Sequence, residues 1–116
     1  MNKLSEILKN DYRWPEKQKW NNLEVWNLGS KGHKIIIEEI EKSKHQLLLE
    51  VGAFTGYSVI KWLEKFPELN VIAIDIWDSK ILSEYAKKHN KKEIFEIFKQ
   101  ENGPLEYFQS CVYKYK

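Results

Sequence analysis

Leu47-Leu48-Leu49-Glu50-Val51-Gly52-Ala53-Phe54-Thr55-Gly56 is the stretch on which the fold turns. Five residues, apolar except for Glu50, run into a glycine, as expected of a strand buried on both faces of a parallel sheet. The loop Gly52 to Gly56 is tight. Beyond it Val59, Trp62, Leu63 and Phe66 fall at i, i+3, i+4 and i+7, one face of a helix that Pro67 stops. A second apolar run, Val71-Ile72-Ala73-Ile74-Asp75-Ile76, reads as another buried strand. Strand, glycine loop, helix and strand within about 30 residues make a βαβ unit, whose crossover is almost always right-handed.

Outward from this unit, Ile81, Leu82, Tyr85 and Ala86 continue at helical spacing, with Ser79 as an expected N-cap. Ile94, Phe95, Ile97 and Phe98 predict a second helix, which Asn102-Gly103-Pro104 breaks. Leu105, Phe108 and Val112 predict a third. Toward the N-terminus, Ile35, Ile36, Ile37 and Ile40 followed by Lys42 and Lys44 predict a helix with a cationic end that suits its dipole. Gly29-Ser30-Lys31-Gly32 reads as a loop, and Leu4, Ile7 and Leu8 as a short amphipathic helix. Trp14, Trp20 and Trp26 recur at intervals of six, too few for a repeat. They read as anchors that cover the sheet, with a share in a substrate pocket as the rival. The sequence divides into a helical, aromatic extension over 1–44 and an α/β domain over 45–116.

Composition narrows the class. The 116 residues suffice for one domain with a real core. Nineteen basic and 17 acidic residues leave a net charge of +2, so no overall pull toward nucleic acid is implied. Lys87, Lys88, Lys91 and Lys92 form the one dense basic cluster, read as a solvated helix face rather than a phosphate site. A single cysteine, Cys111, forbids an intrachain disulfide and fits a reducing, cytoplasmic setting. No apolar run approaches the ~20 residues of a membrane span, and Met1 to Asn10 lacks a secretory apolar stretch. His33, His45 and His89 have no ligand spacing, so no metal site is expected. Neither a G-x-S-x-G elbow nor an H-E-x-x-H helix occurs.

The chemistry is expected at the glycine loop. Gly52 lets a ligand approach the backbone, and the following helix aims its free N–H groups at the same place. Asp75 closes the next strand 19 residues after Gly56, so both lie at carboxyl ends of adjacent strands, where doubly wound sheets bind ligands. A carboxylate there can accept both hydroxyl hydrogens of a ribose. The loop is not G-x-G-x-x-G, which disfavours an NAD-dependent oxidoreductase although Asp75 would serve either ribose. It also lacks the Gly-Lys-Ser/Thr ending of a phosphate-binding loop.

Glu50-Val51-Gly52-Ala53-Phe54-Thr55-Gly56-Tyr57-Ser58 resembles motif I of the class I S-adenosylmethionine-dependent methyltransferases, and Val71 to Asp75 resembles their second motif, terminal acid included. The resemblance is close over residues 45 to 80 and loose elsewhere. It implies an α/β, Rossmann-like, three-layer parallel sheet, of which this sequence supplies the N-terminal βαβ half with preceding helices. It also implies a cofactor site built from Glu50, Gly52, Ala53, Phe54, Thr55, Gly56, Tyr57, Ser58, Asp75, Ile76 and Trp77. By it, Glu50 holds the loop and the methionine portion, and Gly52 offers its backbone near the methionine amino group. Asp75 takes the ribose hydroxyls and Ile76 packs on the adenine. Trp77 joins Ile76 or serves the core, while Tyr57 and Ser58 meet the carboxylate or merely open the helix. No catalytic residue is assigned, because the sulfonium is already electrophilic and the protein mainly orients donor and acceptor.

The later strands, the substrate loops and the terminal hairpin of that family are not evident, so the methyl acceptor stays open. A truncated frame and a half-domain completed by another chain both fit. A non-catalytic module that binds a partner protein or a nucleoside cofactor without turnover is the main rival function. Two strands without outer partners are expected to self-associate, or to recruit a partner chain, through their exposed edges.

Overall fold

The computed structural model describes residues 14–26, 32–44 and 46–116. The expected helix around Leu4, Ile7 and Leu8, the loop residues 29–31 and His45 lie outside them. Among the described residues, five α-helices and one two-stranded parallel sheet follow in the order α1 (His33–Ser43), β1 (Leu47–Val51), α2 (Tyr57–Lys65), β2 (Asn70–Ile74), α3 (Ser79–Lys88), α4 (Lys92–Phe98) and α5 (Gly103–Cys111). A 3₁₀ turn over Tyr113–Tyr115 completes it. The chain is thus an α/β protein, with the βαβ unit where the apolar runs place it.

The strands pair in register, Leu47 with Asn70, Leu49 with Ile72 and Val51 with Ile74. The ladder extends at both ends: Asn70 N–H donates to the Gln46 carbonyl at 2.9 Å, and Gly52 N–H to the Ile74 carbonyl at 2.7 Å. Side chains alternate across a strand, and here the alternation separates two unlike faces. Leu48, Val71 and Ala73 join the packed clusters, while Leu47, Leu49, Val51 and Ile74 are exposed. The expectation of strands buried on both faces is therefore corrected. Among the described residues, the helices that touch the sheet, α1, α2 and α5, meet Leu48, Val71 and Ala73 on one face.

Among the described residues three clusters make the core. In the first, Ile40 of α1 meets Trp62 of α2 and Leu69 ahead of β2. In the second, Val59 of α2 and Ala53 of the loop meet Phe108 and Val112 at the end of the chain, with Trp14, Val71 and Ala73 against them. The third holds Trp26, Ala86, Ile94, Phe98 and Tyr107, where α3, α4 and α5 meet. Residues from both sides of position 45 share every cluster.

Local sequence explains the helix ends. Asp78, not Ser79, caps α3: its carboxylate accepts the Ile81 N–H at 2.8 Å. Ser79 is the first helical residue and donates its hydroxyl to the Gln100 carbonyl. An aspartate displaces the neighbouring serine because both are good caps and only one backbone is extended there, Asp78 at φ −74°, ψ 122°. Pro104 sits in the first turn of α5, where its missing N–H costs nothing. Of the early tryptophans, Trp26 packs on Phe54 and Tyr85 rather than on the sheet, with ring centroids 5.2 and 5.3 Å apart. Lys87, Lys88 and Lys92 are exposed, whereas Lys91 pairs with Glu24 at 2.6 Å and lies over the Trp26 ring.

Candidate functional site

β1 delivers Glu50 and Gly52 in succession, and the two go to different places. Glu50 lies on the helix-covered face, where Trp62 Nε1–H donates to its Oε1 at 3.1 Å. Its Oε2 is buried without a partner. Burial raises the Glu50 carboxyl above its ordinary value, and the Trp62 hydrogen bond partly lowers it again.

Gly52 leaves the sheet at φ +85°, a conformation that favours glycine, and a Cβ built there meets nothing within 4 Å. The backbone is therefore open to approach at that point. Gly56 is the opposite case. It caps α2 at φ +93°, and a Cβ there would lie 2.6 Å from Val112 Cγ1 and 3.2 Å from the Phe108 ring. Its small size serves the docking of α5.

Between the glycines the loop is fastened from both sides. Ala53 N–H donates to the Ile74 carbonyl at 3.3 Å, and Gly56 N–H to the Ala53 carbonyl at 2.9 Å. Phe54 has φ +50°, unusual for a non-glycine residue. Its N–H donates to Asp75 Oδ2 at 2.9 Å, and its carbonyl accepts from Trp77 Nε1–H at 3.0 Å. Its ring sits among Trp26, Tyr85 and Phe98. Thr55 is buried and donates its hydroxyl to the Trp26 carbonyl at 3.0 Å.

Asp75 follows β2 and is half-buried. One oxygen accepts from Phe54 N–H, the other from Trp77 N–H at 3.0 Å. Each carboxylate oxygen has two acceptor positions, so two bonds leave capacity for further donors. Ile76 stands exposed, while the Trp77 ring lies 4.8 Å from that of Phe108 and belongs to the packed cluster.

At the start of α2, Ser58 Oγ lies 3.0 Å from His33 Nε2 of α1. The His33 ring stacks on Tyr57 at 5.9 Å and meets Trp62 edge-on at 4.9 Å. The sequence reading missed His33 here, because 25 residues and no periodic signal separate it from Ser58. It equally missed Trp26, Phe108 and Val112 over the loop.

The eleven expected site residues thus divide. Gly52, Asp75 and Ile76 gather at the carboxyl ends of the strands with accessible groups, and Tyr57 and Ser58 stand half-buried beside His33. Ala53, Phe54, Thr55, Gly56 and Trp77 build the loop and its packing, and Glu50 faces Trp62. A separate surface cleft of about 380 Å³ lies between Leu23, Glu24, Lys91 and Tyr107, and none of the eleven lines it. Among the described residues no group of three or more His, Cys, Asp or Glu is placed to hold a metal ion. No helix among them is long and apolar enough to cross a membrane.

No family model, curated protein or solved structure matches this chain.

Proposed function

We propose that this chain binds S-adenosylmethionine at the carboxyl ends of β1 and β2, as the N-terminal portion of a three-layer, Rossmann-like methyltransferase domain. The observation that supports it most is the placement of an open Gly52 and of Asp75 just past the carboxyl ends of two adjacent, paired parallel strands. The residues present fit the group at three points. The Gly52 N–H is spent on Ile74, so its carbonyl is the group to meet the methionine ammonium. Asp75 keeps acceptor capacity for ribose hydroxyls, and exposed Ile76 offers an apolar surface to the adenine. When bound, the cofactor supplies an electrophilic methyl group, and the chain's own task is to orient it.

A non-catalytic module is the second reading, and the burial of Ala53, Thr55 and Gly56 beneath Trp26, Phe108 and Val112 favours it. There the loop serves packing.

Calorimetric titration with S-adenosylmethionine and S-adenosylhomocysteine, with NAD as control, separates the readings. Binding at or below the ~100 μM range, about −5.5 kcal/mol, is expected for the first two and not for NAD. Gly52→Ala should weaken it at least tenfold while the circular dichroism spectrum persists, since the added methyl meets open space in the protein and costs only the strain of a positive φ, about 1 kcal/mol. Absence of heat from the folded protein would discard the cofactor reading and leave the packing one.

A further inference from the structure

Residues 14–26 form neither helix nor strand, yet their contacts run in order along α5 and the turn after it. The Tyr113 hydroxyl donates to the Glu16 carbonyl at 2.5 Å. Gln18 Nε2–H donates to the Ser110 carbonyl at 2.9 Å, and the Trp20 N–H to Ser110 Oγ at 3.2 Å. Lys19 pairs with Glu106, and the Tyr107 hydroxyl donates to the Glu24 carbonyl. The segment thus lies antiparallel to α5, as an extended strap. It ends on the glycine loop. There the Trp26 carbonyl accepts from the Thr55 hydroxyl at 3.0 Å, and the Trp26 ring packs on that of Phe54. Phe54 is also the residue whose N–H the Asp75 carboxylate holds.

We propose that the strap is a conformational switch on the glycine loop: docked, it holds the loop in its ligand-receiving form, and undocked, it releases the loop. Each of its anchors involves a side chain, so the strap lifts away without breaking a helix or the sheet. Segments held in this way open at a free energy below that of global unfolding. Lifting Trp26 takes one wall from the packing of Phe54, whose φ of +50° is a conformation kept only by its surroundings. Phe54 then relaxes, its N–H leaves Asp75, and Gly52 and Asp75 lose their fixed relation. A ligand at these two residues therefore binds the docked form, and by linkage it holds the strap down. That last step rests on the cofactor reading. The joint opening of strap and loop does not.

Tryptic cleavage after Lys19 and amide hydrogen exchange, followed together on the full chain, test the coupling. Ser110→Ala frees the Trp20 N–H far from the loop, while alanine favours helix α5 itself. Cleavage after Lys19 should quicken about fivefold, the worth of one hydrogen bond. Exchange at the Phe54 N–H should quicken by the same factor, and the Trp62 and Leu63 amides inside α2 should not change. Gln18→Ala, a half-exposed position, should repeat the pattern. S-adenosylmethionine at ten times its calorimetric dissociation constant should slow the cleavage about tenfold. Faster cleavage without faster Phe54 exchange would overturn the proposal, because the strap then opens alone. So would cleavage unchanged in both folded variants, or equal quickening at Trp62 and Leu63, which marks global unfolding. Ligand that binds by calorimetry and leaves cleavage unslowed would overturn the switch. A chain that binds no ligand would discard the cofactor reading instead, and the Phe54 exchange would still decide whether strap and loop open together.

Discussion

The Asp75 carboxylate accepts the Phe54 amide N–H at 2.9 Å, and so the acid that ends the second strand fastens the glycine loop that ends the first. The same carboxylate takes the Trp77 N–H, and the Trp77 indole returns a bond to the Phe54 carbonyl. Loop and strand end therefore hold each other in unusual backbone conformations, Phe54 at φ +50° and Trp77 at φ +39°. Whatever approaches Gly52 meets a backbone already set.

Asp75→Ala removes the acceptor from two amides at once. Hydrogen bonds to a charged group contribute about 1.5–3 kcal/mol each, discounted here because water reaches half-buried Asp75. We expect a loss of about 2 kcal/mol in urea unfolding. Any loss of ligand binding in this variant must be read beside that loss, which is why Gly52 is the cleaner probe of the site.

The two loop glycines should respond differently to alanine. Gly52→Ala carries only the conformational cost of a positive φ, about 1 kcal/mol. Gly56→Ala adds a clash with Val112 and Phe108, and overpacking of that kind costs a further 1–3 kcal/mol or so. Val112→Ala should rescue part of the second loss and none of the first, as a double-mutant cycle by chemical denaturation will read. Equal costs at both glycines would show that α5 does not press on Gly56.

Glu50 makes stability depend on pH in an uncommon direction. Its folded carboxyl titrates above the ordinary 4.5, chiefly through burial. The native state then holds more protons than the unfolded state in the window just above 4.5. Stability from this group therefore falls as pH rises through that window, and stays lowered above it. Glu50→Gln should flatten this part of the profile and stabilise the protein at neutral pH, measured as urea midpoints against pH. A wild-type profile unchanged by the substitution would mean that solvent satisfies Oε2.

Burial pushes the Cys111 thiol up to about 12. The thiolate is the reactive form, so it is scarce at neutral or mildly alkaline pH. Alkylation by iodoacetamide should be slow in the native protein and fast in urea. Rapid native-state labelling would place Cys111 at the surface.

The βαβ unit was legible in the sequence because its signals are local. Apolar runs, a glycine at a strand end and the i, i+3, i+4, i+7 face of Val59, Trp62, Leu63 and Phe66 all act within one helix or one strand, and the structure forms the elements they predict. Ser79 misled for the same reason: Asp78 competes for the same cap, and backbone conformation decides between them. Among the expected site residues, Gly52 and Asp75 fall where their spacing puts them. The role of Gly56 depends on Val112, 56 residues away, and no local pattern encodes that contact.

The sequence by itself determined the element order, the parallel pairing implied by a helical crossover, and the placement of Gly52 and Asp75 at one end of the sheet. Only the tertiary structure decided which face of the strands is covered. Leu47, Leu49 and Val51 read as core by hydrophobicity, yet they stand exposed because α1, α2 and α5 all meet the sheet from the other side. It likewise decided that Ala53, Thr55 and Gly56 lie under Trp26, Phe108 and Val112. Hydrophobic patterning sets how much apolar surface a strand offers. Which surfaces find each other depends on the path of chain segments far apart in sequence, and that path places the contacts of α1, α2 and α5 on one face.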